Sequence, residues 1–174
     1  MKYLQNGGFQ SNPFMRMTLA WTLVFAAGLW VTNAAMYFQR MNLTPKSVRA
    51  YYLGDDSEYT QPKSAAAMLE VSHAHLATMG VMVLLLTHLA IFMPWEDRTK
   101  KLVIAAGFGS SLFGEASGWL VRFVSPAFAP LKIVCFAGFQ LVLAVLIVGL
   151  AGFLYEAARE APRRKKSSRE DPLS

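Results

Sequence analysis

The chain has 174 residues, 54% of them apolar and only 16% charged. Soluble domains carry about 25% charge, so this composition excludes an ordinary soluble enzyme. A single cysteine, Cys135, excludes an internal disulfide and any multi-cysteine zinc or iron–sulfur centre, and three histidines limit the supply of imidazole ligands.

In chain order, four stretches are nearly free of charge: Met17–Gln39, Val71–Trp95, Leu102–Val121 (which holds only Glu115) and Ile133–Tyr155. Each approaches the ~20 residues that cross about 30 Å of hydrocarbon. Trp21, Tyr37, Trp95, Trp119 and Tyr155 stand near their ends, the pattern of an interfacial aromatic belt. A continuous span in lipid must satisfy its own backbone, so the stretches are helices. The expected fold is all-α, a bundle of four transmembrane helices over residues 1–158, with spans at 16–39, 66–94, 101–124 and 131–156.

The connections agree. Pro94 closes the second span, and Pro126 and Pro130 break the chain between the third and fourth. The long connection from Arg40 to Lys63 is expected to fold over the membrane face. Residues 159–174 are rich in Arg, Lys and Glu and read as a basic cytoplasmic tail, disordered and without a core of its own. The first apolar stretch runs past its weak small-residue pattern at Thr32-Asn33-Ala34, so it reads as an uncleaved helix rather than a signal peptide.

The net charge of +6 is a topology signal. Eleven Lys and Arg lie with the termini and the second connection, against six on the other side. The positive-inside rule then places both termini in the cytoplasm and the chain in a cell (inner) membrane. No aromatic-interleaved nucleic-acid motif accompanies the basic residues.

Polar side chains within the spans require a reason, because a charged group there costs at least about 2.5–3.5 kcal/mol. Asn33, His73, His75, Glu115 and Gln140 all fall in the outer half of the membrane, with Glu70 above them; His88 lies in the inner half. On a helical projection Glu70, His73, Ala77, Gly80, Leu84 and His88 form one stripe, and His75, about 160° away, heads another with Met79, Met82 and Leu86. Ser110, Gly114 and Gly118 give the third helix a small-residue face, suited to close packing or to a flat prosthetic group.

Two histidines, His73 or His75 and His88, on one membrane helix at this spacing resemble the ligand pattern of membrane b-type cytochromes. The resemblance implies haem b bound through His73, His75 and His88, with Arg122 and Lys132 near its propionates. No other helix carries a histidine. The second axial ligand would therefore be a methionine such as Met36, an open position, or a histidine from another subunit.

A second reading is a quinone site, in which Glu70, His73 and Glu115 bind carbonyl oxygens and move protons. The two readings join in an electron-transfer subunit of a respiratory-type complex. Its expected partners are lipid, other membrane subunits or a second copy, and a periplasmic redox protein at the Tyr51–Tyr59 loop. The alternatives are a structural or assembly subunit whose polar cluster fixes helix packing, and an iron- or copper-binding membrane protein built on Glu70-x-x-His73 and Glu115.

Overall fold

The computed structural model describes residues 12–170, with side chains through residue 159. Five helices follow one another: α1 (Pro13–Arg40), α2 (Pro45–Leu53), α3 (Ala65–Ala90), α4 (Asp97–Phe123) and α5 (Ala129–Glu170). Lys2 of the charge count, with the rest of 1–11, and the last tail residues 171–174 lie outside the described residues.

Local chemistry sets the boundaries. Asn12 caps α1, its side chain accepting from the Phe14 and Met15 backbone N–H groups, with Pro13 in the first turn. Thr44 caps α2 ahead of Pro45, and Ser64 caps α3 through the Ala67 N–H. Helix α2 ends at Gly54, whose φ of +83° suits glycine; a Cβ there would stand 2.5 Å from the Thr60 carbonyl oxygen. Within the long apolar helices, Thr18, Thr22, Thr32, Thr78 and Thr87 return their hydroxyls to a carbonyl one turn back, so these polar groups stay satisfied without water.

Among the described residues, three helices are long and apolar enough to cross a membrane: Pro13–Arg40, Ala65–Ala90 and Pro126–Arg159. The expected third span, α4, has 27 residues but not the same hydropathy. Its first turns carry Asp97, Arg98, Lys100 and Lys101, and its packed face is built from glycine and serine in place of leucine. The observed fold is thus an all-helical membrane domain, with three apolar spans and α4 packed along α3 and α5.

The last helix runs further than its composition suggested. Its backbone remains helical to Glu170, through the basic segment read as a tail. Ala, Glu, Arg and Lys dominate the residues after Tyr155, and all are good helix formers.

Packing divides the bundle into two apolar clusters. One centres on Val83, Leu86, Leu143 and Leu146, with Leu23 and Ala26 of α1. The other gathers Tyr37, Met41, Val48, Tyr52, Met68, Val121 and Ala129 at the opposite end. There α2 lies across the bundle with Val48 and Tyr52 buried, so the long first connection does fold over the helix ends. Arg122 Nε donates to the Lys63 carbonyl (2.8 Å) and Arg49 Nε to that of Pro126 (3.1 Å), tying the connections together. Large apolar side chains such as Phe25, Val31, Val81, Leu112, Val134 and Val148 face outward, as lipid-facing positions do.

Candidate functional site

A cavity of about 390 Å³ lies between the two clusters, within the size range of small-molecule sites. All five helices contribute to its wall. Asn33, Met36, Tyr37 and Arg40 come from α1, Tyr51 and Tyr52 from α2, and Met68, Val71, His75 and Met79 from α3. Helix α4 supplies Ser110, Gly114, Glu115 and Gly118; α5 supplies Lys132, Cys135, Phe136 and Phe139. Lys63 precedes α3 at the rim.

The cavity exists partly because α4 is small-faced. Gly114 and Gly118 line it, and at Gly118 a Cβ would stand 2.7 Å from the Tyr52 hydroxyl oxygen. Glycine there lets the phenol descend from α2 onto α4. The stripe of small residues read from the sequence therefore serves both close approach and open space.

A hydrogen-bonded chain crosses from α3 to α4 at the cavity wall. Trp119 Nε1 donates to Ser72 Oγ (2.8 Å), and Ser72 Oγ donates to Glu115 Oε1 (2.5 Å). The second carboxylate oxygen, Oε2, meets His75 Nδ1 at 3.1 Å. Both Glu115 oxygens are thereby engaged, and the imidazole is oriented with Nε2 as its remaining nitrogen. On α5, Lys132 Nζ donates to the Gly114 carbonyl (2.7 Å), beside Glu115 in sequence.

The sequence-derived candidates divide sharply. His75, Glu115 and Asn33 line the cavity. Glu70, His73 and His88 are exposed on the outer face of α3, so the stripe they form points away from the bundle. His88 makes an edge contact with Phe92 in the turn after α3, with ring centroids 5.9 Å apart. Arg122 supports the loop through Lys63 and lies over the Phe123 ring, outside the cavity wall.

Gln140 is directed elsewhere. Its backbone carbonyl accepts from Trp30 Nε1 (3.1 Å), while both polar atoms of its buried amide lack a partner among the described residues. Of Glu70, His73 and Glu115, Glu115 alone lines the cavity, where His75 joins it. Of the three proposed haem ligands, only His75 reaches the cavity. Among the described residues no three His, Cys, Asp or Glu side chains converge as a metal-binding group.

Sequence reasoning missed Tyr37, Tyr52, Arg40 and Lys63 as wall residues. A signal existed for Tyr52: Val48, Tyr51 and Tyr52 follow the i, i+3, i+4 pattern of an amphipathic helix above the bundle.

A helical bundle with outward apolar side chains, enclosing a cavity that bears a few polar groups, defines a membrane domain. Residues 42–161 match the profile of the Aq_1264_TM family, a transmembrane helical domain, and the chain belongs to that family. No curated protein and no solved structure matches the chain. The matched segment starts after α1 and takes in α2, α3, α4 and the apolar length of α5.

Proposed function

We propose that the protein is a membrane electron-transfer subunit whose cavity binds a quinone, with His75 and Glu115 as the polar contacts. The observation that carries this reading is the His75–Glu115 pair, 3.1 Å apart in the wall of a cavity otherwise rich in Met and Phe. In such a wall neutral His75, with Nδ1–H on Glu115, has a bare Nε2 that accepts the proton of a quinol hydroxyl, and as imidazolium it donates Nε2–H to a carbonyl oxygen of the quinone. Glu115 holds the ring and stabilises the imidazolium that proton transfer creates.

Oxidising a quinol to a quinone releases two protons and two electrons. The His75–Glu115 pair handles protons only, so the electrons pass to a redox centre of a partner subunit. This is why the chain is read as one component of a respiratory-type complex. In this reading α4 is the third of four crossings, both termini share one side, and the excess of Lys and Arg there supports a cytoplasmic side, with the cavity in the outer half of a bacterial-type inner membrane.

Haem b is the second reading, and the geometry of His75 favours it. A histidine whose Nδ1 is fixed by a carboxylate presents Nε2 as a metal ligand in a defined orientation. Met36 shares the same cavity as a sulfur donor. Cations in the wall suit propionates.

Spectra and binding of the purified chain separate the readings. For the quinone site, a naphthoquinone or benzoquinone binds the wild type, and His75→Leu or Glu115→Gln weakens that binding about tenfold or more. Equal binding by all three proteins overturns it. A reduced-minus-oxidised α band that disappears in His75→Leu but survives in His73→Leu selects haem instead.

A further inference from the structure

We propose that the outer end of the cavity, beside Tyr37, Arg40, Lys63 and Lys132, binds the anionic head, a carboxylate or phosphate, of an apolar-tailed molecule. The inference does not depend on the redox reading, which concerns the His75–Glu115 pair.

Charge is the first argument. Arg40, Lys63 and Lys132 all line the cavity, whereas Glu115 is the one acid in its wall among the described residues. Both oxygens of Glu115 are already engaged by Ser72 and His75. Lys132 lies close enough to Glu115 for the two charges to attract, but the other two cations make few compensating contacts. Lys63 Nζ stands 4.7 Å from the centroid of the Tyr51 ring, and Arg40 reaches the Tyr51 hydroxyl at 3.5 Å. Arg40 is exposed and Lys63 half-buried at this end of the cavity, so an anion brought in with the ligand meets net positive charge there.

Unused donors are the second argument. An ammonium has three N–H donors, and the hydrogen bond found for Lys132 is to the Gly114 carbonyl. Tyr37 is 7% exposed, its ring is stacked on Phe136 with centroids 3.7 Å apart, and its hydroxyl has no partner among the described residues. A buried hydroxyl left unpaired is costly, so Tyr37 is suited to donate to a ligand oxygen. These donors belong to three separate segments of the chain. The fold, rather than one helix terminus, assembles them.

The rest of the wall fixes the other half of the ligand. Below the cationic end it is lined by methionine and phenylalanine side chains, which take an alkyl or polyprenyl chain. Free fatty acids and acidic phospholipids both present this combination.

The test uses the purified full-length chain with oleate, oleyl alcohol and acetate as soluble probes. In parallel, vesicles of phosphatidylglycerol and of phosphatidylcholine are compared by native mass spectrometry of retained lipid. Oleate is expected to bind and raise Tm, at least about tenfold more tightly than oleyl alcohol. Lys132→Met and the double change Arg40→Gln with Lys63→Gln should each weaken oleate about tenfold, and Tyr37→Phe less. Should Lys132→Met fail to fold, the rim double variant carries the comparison. Selective retention of phosphatidylglycerol with weaker oleate binding supports the proposal and identifies the source as lipid. Equal binding of oleate and oleyl alcohol with no lipid selectivity overturns it, as does acetate binding as tightly as oleate. Unchanged affinity in every variant also overturns it.

Discussion

The phenol of Tyr52, carried on the short helix α2, lies against Gly118 of α4 so closely that a Cβ at that glycine would stand 2.7 Å from its hydroxyl oxygen. The contact fixes the helix that roofs the cavity to the helix that forms its floor. Gly118→Ala must displace Tyr52, and with it the buried Val48 of the same helix. The expected loss is about 1–3 kcal/mol, the usual cost of overpacking. Thermal unfolding of the purified variant measures it, and Tyr52→Leu combined with Gly118→Ala should recover part of the loss.

Tyr52 also predicts an alkaline dependence of stability. Burial, reinforced by the neighbouring Tyr51 and Glu115, pushes its hydroxyl above the ordinary value of 10.0. The folded state therefore favours the protonated phenol more than the unfolded state does. That contribution is complete below pH 10 and is lost as pH rises through the higher folded value. Wild-type Tm should fall more steeply above about pH 10 than that of Tyr52→Phe. Parallel curves from the two proteins would count against this account.

Ser72 holds together two groups that have no better partner. Its hydroxyl accepts from Trp119 Nε1 and donates to Glu115 Oε1. Ser72→Ala strands an indole N–H and one carboxylate oxygen, and should cost about 1–3 kcal/mol. The same variant should alter Trp119 fluorescence and loosen His75. Ser72→Thr keeps the hydroxyl and should recover most of the loss.

The outward histidines should behave differently. His73→Leu and His88→Leu remove groups exposed on α3 and should change the stability of the isolated chain by no more than about 0.5 kcal/mol. His75→Leu strips the second oxygen of Glu115 of its partner and should be clearly more damaging. Denaturation of the three variants in one detergent makes the comparison.

Orientation is tested at the exposed turn after α2. In a Cys135→Ala background, Ser57→Cys should react with a membrane-impermeant maleimide added to intact cells. Labelling only after the inner face is opened would reverse the proposed topology.

The long apolar helices were legible because their composition alone specifies them: Leu, Val, Ala and Phe dominate long stretches of α1, α3 and α5 that hold few charges. Helix α4 was less transparent, since Gly107, Ser111, Gly114, Ser117 and Gly118, which make it a close-packing partner, also lower its hydropathy. The site was half legible. Projection separated His73 from His75 by about 160° but left open which of them faced inward. In a membrane bundle the outside is as apolar as the inside, so hydrophobic patterning does not set a helix's rotation. Packing against α4 sets it, through Ser72 and Glu115. Arg40 and Lys63 were counted as topology markers because nothing local shows that α2 folds them over the cavity.

Helix α1 packs chiefly along α5, without extensive packing against α3, although Asn33 and Met36 face His75 and Met79 around one cavity. The family match begins just beyond this helix. Its place is therefore that of a side wall hung on one post. A sideways swing of α1 would open the chamber directly into the bilayer. The hydrogen bonds joining α3 and α4 would stay intact, and a bulky apolar guest could enter without crossing water.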